Sequence, residues 1–210
     1  RQKQILKVIR AEGEGTVDAF AELLGTSRET VRRDIAALID RGLAEKIHGR
    51  ARRPRRTLEP AFEARLSLNA AAKQAIAAKA ASLLSNDESV FIDTGSTTLF
   101  FAEELAETCS VYAITNSIVI ASVLADGSKP SDVMLLGGVF NAADRQTVGE
   151  HALEQINTFR PNHAFITVGA LSDVGGLMDF NASEAAIARA MIKQASKVTV
   201  LVDASKYDES

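Results

Sequence analysis

Residues 16–43 read TVDAFAELLGTSRETVRRDIAALIDRGL, and no other stretch narrows the fold as far. Val17, Phe20, Ala21 and Leu24 recur at helical spacing, Gly25 interrupts, and Val31, Ile35 and Leu38 resume at spacings of four and three. Gly42 stops the second segment. Thr26 and Glu29 fit a capping box at its start, with Ser27 as the competing N-cap. Two short amphipathic helices joined by a tight glycine turn have the layout of a helix-turn-helix, whose second helix enters the DNA major groove.

The flanks extend this unit. Arg1–Glu12 places Ile5, Leu6, Val8 and Ile9 on one side of a further short helix, which Gly13 and Gly15 end. Leu43–Ile47 reads as a strand and His48–Gly49 as a turn, which adds a wing and makes a winged helix. Arg50–Arg56, RARRPRR, is a linker or a wing arm, with phosphate contact and simple linkage equally supported. Thr57–Pro60 completes the boundary, giving a head of residues 1–56 and a body of residues 57–210. The head holds 14 Lys and Arg against 8 acids; the body holds 10 against 19. A basic head on an acidic body points to a polyanion partner for the head alone.

With 210 residues, 46% of them hydrophobic, the chain can bury a real core. No apolar run approaches the roughly 18 residues of a membrane span. No signal-peptide pattern opens the chain, and its start at Arg1 rather than methionine predicts that the natural N-terminus lies further upstream. Cys109 has no second cysteine to pair with and stands in a structural context, so a reduced, cytoplasmic setting is expected.

After Asn69–Leu84, an Ala-rich helix, strands and helices alternate: Ser89–Asp93, Thr97–Glu107, Ser110–Thr115, Ser117–Ala125, Val133–Leu136, Gly149–Phe159, His163–Val168, Ser183–Gln194 and Val198–Asp203. Continuous apolar strands in such an alternation predict a mostly parallel sheet covered on both faces. Ligands of open α/β sheets bind beyond the carboxyl ends of the strands. There the sequence puts Asp93-Thr94-Gly95-Ser96-Thr97-Thr98, a Gly/Ser/Thr loop entering a helix. Read as a phosphate cradle it offers backbone N–H groups, hydroxyl donors and a helix N-terminus. Read as plain structure it is a tight turn with Ser96 as N-cap. Thr115-Asn116-Ser117, Gly137-Gly138, Gly169 and Lys206 end other strands. Lys206 suits a phosphate charge, while Asp93, Asp203 and Glu184 suit ligand hydroxyls; the alternative for each is a surface charge or a cap, and it fits Asp93 least, since Asp93 directly follows an apolar strand.

Other chemistries lack their residues. His48, His151 and His163 are scattered without metal-ligand spacing, so no metal site is expected. There is no GxxxxGK[ST] phosphate loop and no Gly-x-Ser-x-Gly elbow. No catalytic residue and no cofactor is assigned.

On these residues the chain resembles the DeoR family of bacterial transcription regulators over almost its whole length. The head carries Thr30-Val31-Arg32-Arg33-Asp34-Ile35, Leu38, Gly42 and His48-Gly49. The body carries Asp93–Thr98, Thr115-Asn116-Ser117, Leu136-Gly137-Gly138, Glu184 and Asp203-Ala204-Ser205-Lys206. The resemblance implies a body similar to ribose-phosphate isomerases and glucosamine-phosphate deaminases that senses a phosphorylated sugar or polyol. Gly175–Phe180 followed by Glu184 looks similar to the glycerol-3-phosphate regulon repressors. Two departures stand out. Arg50 takes the place of the family's second wing glycine, which predicts a constrained turn. The family also continues with a further strand and helix where this sequence stops, so part of the body is expected beyond Ser210.

The expected protein is therefore a cytoplasmic repressor of a carbohydrate or polyol operon. Arg28, Thr30, Arg32 and Arg33 would face the bases of double-stranded operator DNA. Ser27, Lys46, His48 and Arg50 would contact phosphates. A homo-oligomer, dimer or tetramer, would span paired half-sites. A phosphorylated effector at Asp93–Thr98, Thr115, Asn116, Ser117, Gly137, Gly138, Gly169, Glu184 and Lys206 would tune DNA binding. The rival is a sugar-phosphate isomerase or deaminase with a DNA-binding head, using Asp93, Glu184 and Lys206 as acid and base. A third reading is a constitutive DNA-binding protein whose body only oligomerises.

Overall fold

The computed structural model describes residues 1–40, 44–47, 49–52, 62–172 and 176–207. They fall into two compact units, Arg1–Thr57 and Leu58–Ser210, each with its own core.

The head runs α1 (Gln2–Glu12), β1 (Glu14–Thr16), α2 (Val17–Leu24), α3 (Arg28–Asp40), β2 (Glu45–Ile47) and β3 (Arg50–Arg52). Ile5 and Ile9 of α1, Phe20 of α2 and Val31, Ile35 and Leu38 of α3 bury together with Ala44 and Ala51. The apolar periodicities of the sequence are thus the contacts of the core. Fully burying side chains of this size contributes about 1.5–3 kcal/mol each. Thr16 caps α2 by accepting the Ala19 N–H at 3.1 Å. At the turn, Gly25 is left-handed and its N–H returns to the α2 carbonyls.

Two local expectations are corrected. Ser27, not Thr26, caps α3: its hydroxyl accepts the Thr30 N–H at 3.2 Å. Thr26 belongs to the end of α2, its N–H tied to the Ala21 carbonyl at 3.1 Å. Gly13 does end α1, but Gly15 lies in a strand. That strand, β1, pairs antiparallel with β3, which pairs with β2 on its other side. Gly42, His48, residues 53–56, the boundary at Thr57–Pro60 and Gly175 lie outside the described residues.

In the body, α4 (Phe62–Ser67) and α5 (Ala70–Ala81) precede β4 (Ser89–Ile92), α6 (Ser96–Thr108), β5 (Tyr112–Thr115), α7 (Ile118–Asp126) and β6 (Asp132–Leu135). A hairpin, β7 (Val139–Asn141) and β8 (Gln146–Val148), leads to α8 (Glu150–Thr158) and β9 (His163–Ile166). A second hairpin, β10 (Ala170–Ser172) and β11 (Gly176–Met178), leads to α9 (Ala182–Gln194), β12 (Lys197–Val200) and a 3-10 turn at Ala204–Lys206. Five strands form one parallel sheet in the order β12-β9-β4-β5-β6.

Strand alternation assigns the faces. Val90 and Ile92 pack with Leu99, Phe101, Leu105, Ile120 and Leu124 under α6 and α7. Phe91 and Ile114 pack with Ala152, Ile156, Ile187 and Met191 under α8 and α9. Both faces are covered, which is why the strands are apolar without a break. From β4 the chain moves to β5 and β6 on one side, then returns to β9 on the other. The β4 and β9 ends therefore flank the switch point where α/β sheets hold ligands.

Candidate functional site

In the head, α3 buries Val31, Asp34, Ile35 and Leu38 and leaves Arg28, Arg32 and Arg33 in solvent. Each arginine meets an acid of the head. Arg28 Nε lies 2.6 Å from Asp18, while Arg32 and Arg33 approach Glu29 at 3.6 and 3.9 Å. Exposed pairs of this kind contribute about 0–1 kcal/mol, so a phosphate or a base edge can displace them. The Thr30 hydroxyl is engaged with the Ser27 hydroxyl at 2.9 Å, so both side chains serve the cap first.

Arg32 also lines a groove of about 490 Å³ between α3 and the sheet, together with Lys46, Gly49 and Arg50. It is the α3 arginine that the structure brings together with the two wing cations. Gly49 carries the left-handed turn, with φ of 81°. Arg50 already lies in β3, opposite Ile47 and Thr16, and makes an ion pair with Glu14. The position that departs from the family's second wing glycine is thus a strand residue held in an ion pair, while His48, the other residue of the turn, lies outside the described residues.

In the body, the strand ends meet at one edge of the sheet. Asp93 is held against β9 by its N–H, which donates to the Phe165 carbonyl at 3.0 Å. Burial pushes its carboxyl well above the ordinary carboxylate range. The charges of Glu184 and Asp179 push the same way, against the stabilising N–H of Thr94. A Cβ on Gly95 would stand 2.2 Å from Thr167 Cγ2, so only glycine lets the loop pass this close to the β9 end. The first α6 bond runs from the Leu99 N–H to the Gly95 carbonyl. The N–H groups of Ser96, Thr97 and Thr98 precede it and have no partner within the helix.

The four hydroxyls of this loop are not equivalent. Thr94 donates to Asn116 Oδ1 at 3.1 Å, and Thr98 donates to the Gly95 carbonyl at 3.0 Å. Ser96 and Thr97, 7% and 6% exposed, carry no side-chain hydrogen bond to another described residue. Ser96 does not cap α6.

A buried polar chain leads away from Thr94. Asn116 Nδ2 donates to Gln146 Oε1 and to the Thr147 carbonyl, both at 3.0 Å. Gln146 Nε2 donates to Glu184 Oε1 at 2.8 Å, which also accepts from Asn181 at 3.1 Å. Thr115 and Ser117 serve their own turn: Thr115 Oγ1 accepts the Ser117 N–H at 3.1 Å, and Ser117 caps α7.

Residues 1–57 match the DeoR-like helix-turn-helix domain, and residues 68–210 match the DeoR C terminal sensor domain. The chain belongs to the DeoR family. It is 32% identical over 210 residues to the HTH-type transcriptional repressor CsqR of Escherichia coli (strain K12), covering 100% of this chain and 80% of that protein. It is 27% identical over 207 residues to the glycerol-3-phosphate regulon repressor of the same strain, covering 99% and 82%. A ribose 5-phosphate isomerase A from Methanocaldococcus jannaschii aligns at 19% identity and a TM-score of 0.48, over 66% of this chain and 55% of that one. This DeoR-family protein is a DNA-binding transcriptional regulator, not an enzyme.

Other sequence candidates of this DeoR-family body have internal roles. The Gly137 N–H donates to Gln155 Oε1 at 3.2 Å, and Gly138 makes room for the Val148 carbonyl. Gly169 lies against the Phe180 ring. Asp203 caps the 3-10 turn that carries Lys206, accepting the Ser205 N–H at 2.8 Å and the Asn69 amide at 3.2 Å. His163 pairs with Glu88 at 3.3 Å and His151 with Glu154 at 3.5 Å. His48 lies outside the described residues. Among the described residues no group of ligating side chains could hold a metal, and no helix is long and apolar enough to cross a membrane. Burial raises the Cys109 thiol above its usual range, which suits a structural role.

Sequence reading missed Gln146, Asn181 and Asn69. Each is an ordinary amide by type, and only the topology brings it to the strand ends.

Proposed function

We propose that this DeoR-family regulator acts in the cytoplasm as a homo-oligomeric repressor, dimer or tetramer, of a carbohydrate or polyol operon. Arg28, Thr30, Arg32 and Arg33 face the operator bases. Ser27, Lys46, His48 and Arg50 set the register on the backbone. A phosphorylated sugar or glycerol 3-phosphate binds at the strand ends, over Asp93–Thr98, Thr115–Ser117, Gly137, Gly138, Gly169, Glu184 and Lys206. It shifts DNA affinity by as much as it prefers one arrangement of the oligomer over the other.

The observation that carries the effector reading is the α6 entry loop. Three N–H groups without a partner in the helix and two hydroxyls without a side-chain bond to another described residue sit beside the switch point of a parallel sheet. The name of the glycerol-3-phosphate regulon repressor, similar over nearly the whole of this chain, supports a polyol phosphate as the ligand class.

The test pairs a thermal-shift screen of small phosphorylated metabolites with gel shifts on the protein's own promoter. A ligand confined to the native state raises the midpoint, and the best hit is expected to change operator affinity. Operator affinity that stays constant across the panel would remove the effector from this reading.

A further inference from the structure

The hydrogen-bond chain behind the α6 entry loop has a fixed direction. Asn116 and Gln146 are both 0% exposed, so their partners must all come from the protein. The Thr147 carbonyl can only accept, and Asn116 meets it at 3.0 Å. That end of the Asn116 amide is therefore the NH₂ group. The same NH₂ donates to Gln146, which makes the facing Gln146 atom its oxygen. Gln146 then turns its own NH₂ to Glu184 Oε1. At the other end Asn116 presents Oδ1, and the only donor Thr94 Oγ1 has is the hydroxyl hydrogen.

We propose that Thr94 is a specificity-determining residue that recognises a ligand hydroxyl, not the phosphate. Its single hydrogen is committed to Asn116, so towards a ligand it offers lone pairs alone. A phosphate dianion offers acceptors alone and finds no partner there. A sugar or polyol hydroxyl is a donor and does. If Thr94 turned its hydrogen towards a phosphate, it would leave the wholly buried Asn116 Oδ1 without a donor. The labour of the loop is thereby divided: Ser96, Thr97 and the first three N–H groups of α6 hold the phosphate, and Thr94 selects for a hydroxylated carbon chain. Gln146 is a positioning residue, since it holds Asn116 in the orientation that takes the Thr94 hydrogen. The inference rests on the effector reading above and specifies which part of the effector each hydroxyl meets.

The experiment is calorimetric titration of the full chain at about pH 8, where phosphate monoesters are dianions with a second pKa near 6. The probes are glycerol 3-phosphate, ribose 5-phosphate and propyl phosphate, which has no hydroxyl on carbon. Thr94→Val is expected to weaken the better hydroxylated probe roughly five- to tenfold, the loss of one hydrogen bond, and propyl phosphate by less than about twofold. Thr94→Ser keeps the lone pairs and is expected to restore the preference. If the valine perturbs folding, Thr94→Ala carries the test, with the same selective loss expected for the hydroxylated probe. Ser96→Ala is expected to weaken all bound probes alike. Equal losses for hydroxylated and unhydroxylated probes in Thr94→Val would overturn the assignment while leaving the effector site standing. Wild-type protein that binds none of the three would remove the effector reading and the assignment together.

Discussion

A Cβ on Gly15 would stand 2.3 Å from Cζ of Phe20. Phe20 is the buried anchor of α2, and its ring occupies the space that a side chain on β1 would need. The missing side chain of Gly15 is therefore a packing feature, in a strand that braces the first helix of the DNA-reading pair. Gly15→Ala is expected to destabilise the head by about 1–3 kcal/mol through overpacking, seen as a lower thermal midpoint and weaker operator binding. An unchanged midpoint would mean that the Phe20 ring can move aside at no cost.

The α3 cap separates two neighbouring residues. Ser27→Ala removes the acceptor of the Thr30 N–H and should cost about 1 kcal/mol. Thr26→Ala should cost a few tenths at most, because the structural tie of Thr26 is its backbone N–H. Denaturant midpoints of the two variants decide between them, and equal losses would return the cap to Thr26.

On DNA, Arg32 and Lys46 should fail differently although they share a groove. Arg32→Ala should cost about 1–3 kcal/mol and relax preference at one operator position, as loss of a base contact does. Lys46→Ala should weaken all sequences alike and flatten the slope of log affinity against log salt by about one. Titrations of operator and scrambled duplexes over a salt series read both effects. A uniform loss for Arg32→Ala would reassign it to the backbone.

The head was legible because its signals are local. Val31, Ile35 and Leu38 announce a buried helical stripe whatever lies elsewhere, and the strand–helix alternation of the body announces a parallel sheet in the same way. What escaped depends on distant partners. β1 is three residues around a glycine, and it is a strand only because β3 pairs with it. The β7–β8 hairpin has no apolar alternation; Val139 and Phe140 are both exposed. Gln146 sits on that hairpin, so the residue that ties Asn116 to Glu184 could not be singled out. The strand-end loop was legible as a possible site, but not the split among its hydroxyls, since Thr94 and Thr97 are the same residue type in different company.

Asp93 makes the stability of the body depend on pH. Its folded pKa lies well above the reference value of 3.8. Below that value the group is protonated in both states. Above it the unfolded chain ionises while the native state keeps its proton, so stability falls as pH rises towards the folded pKa. Asp93→Asn keeps the carbonyl that accepts the Thr94 N–H and removes the titration. Its thermal midpoint relative to wild type should therefore rise as pH climbs above the reference value of 3.8. Parallel curves across that range would show that Asp93 titrates like an exposed acid.

Gln146 is expected to matter more than its ordinary chemistry suggests. Gln146→Leu conserves approximate volume but deletes a donor and an acceptor at once. Glu184 loses its bond from Gln146 Nε2, and Asn116 keeps only the Thr147 carbonyl for its amide hydrogens. Buried groups left without a partner cost about 1–3 kcal/mol, so the body should unfold earlier by that amount. Gln146→Glu separates the two bonds. The carboxylate still accepts from Asn116, but it faces Glu184 with like charge instead of a donor. Its deficit at neutral pH should therefore exceed that of the leucine variant, because two like charges then share one buried site. Urea unfolding of the two variants at about pH 7 measures the difference. A Gln146→Glu deficit no larger than that of Gln146→Leu would mean that the Glu184 contact contributes nothing and that Asn116 alone holds Gln146 in place.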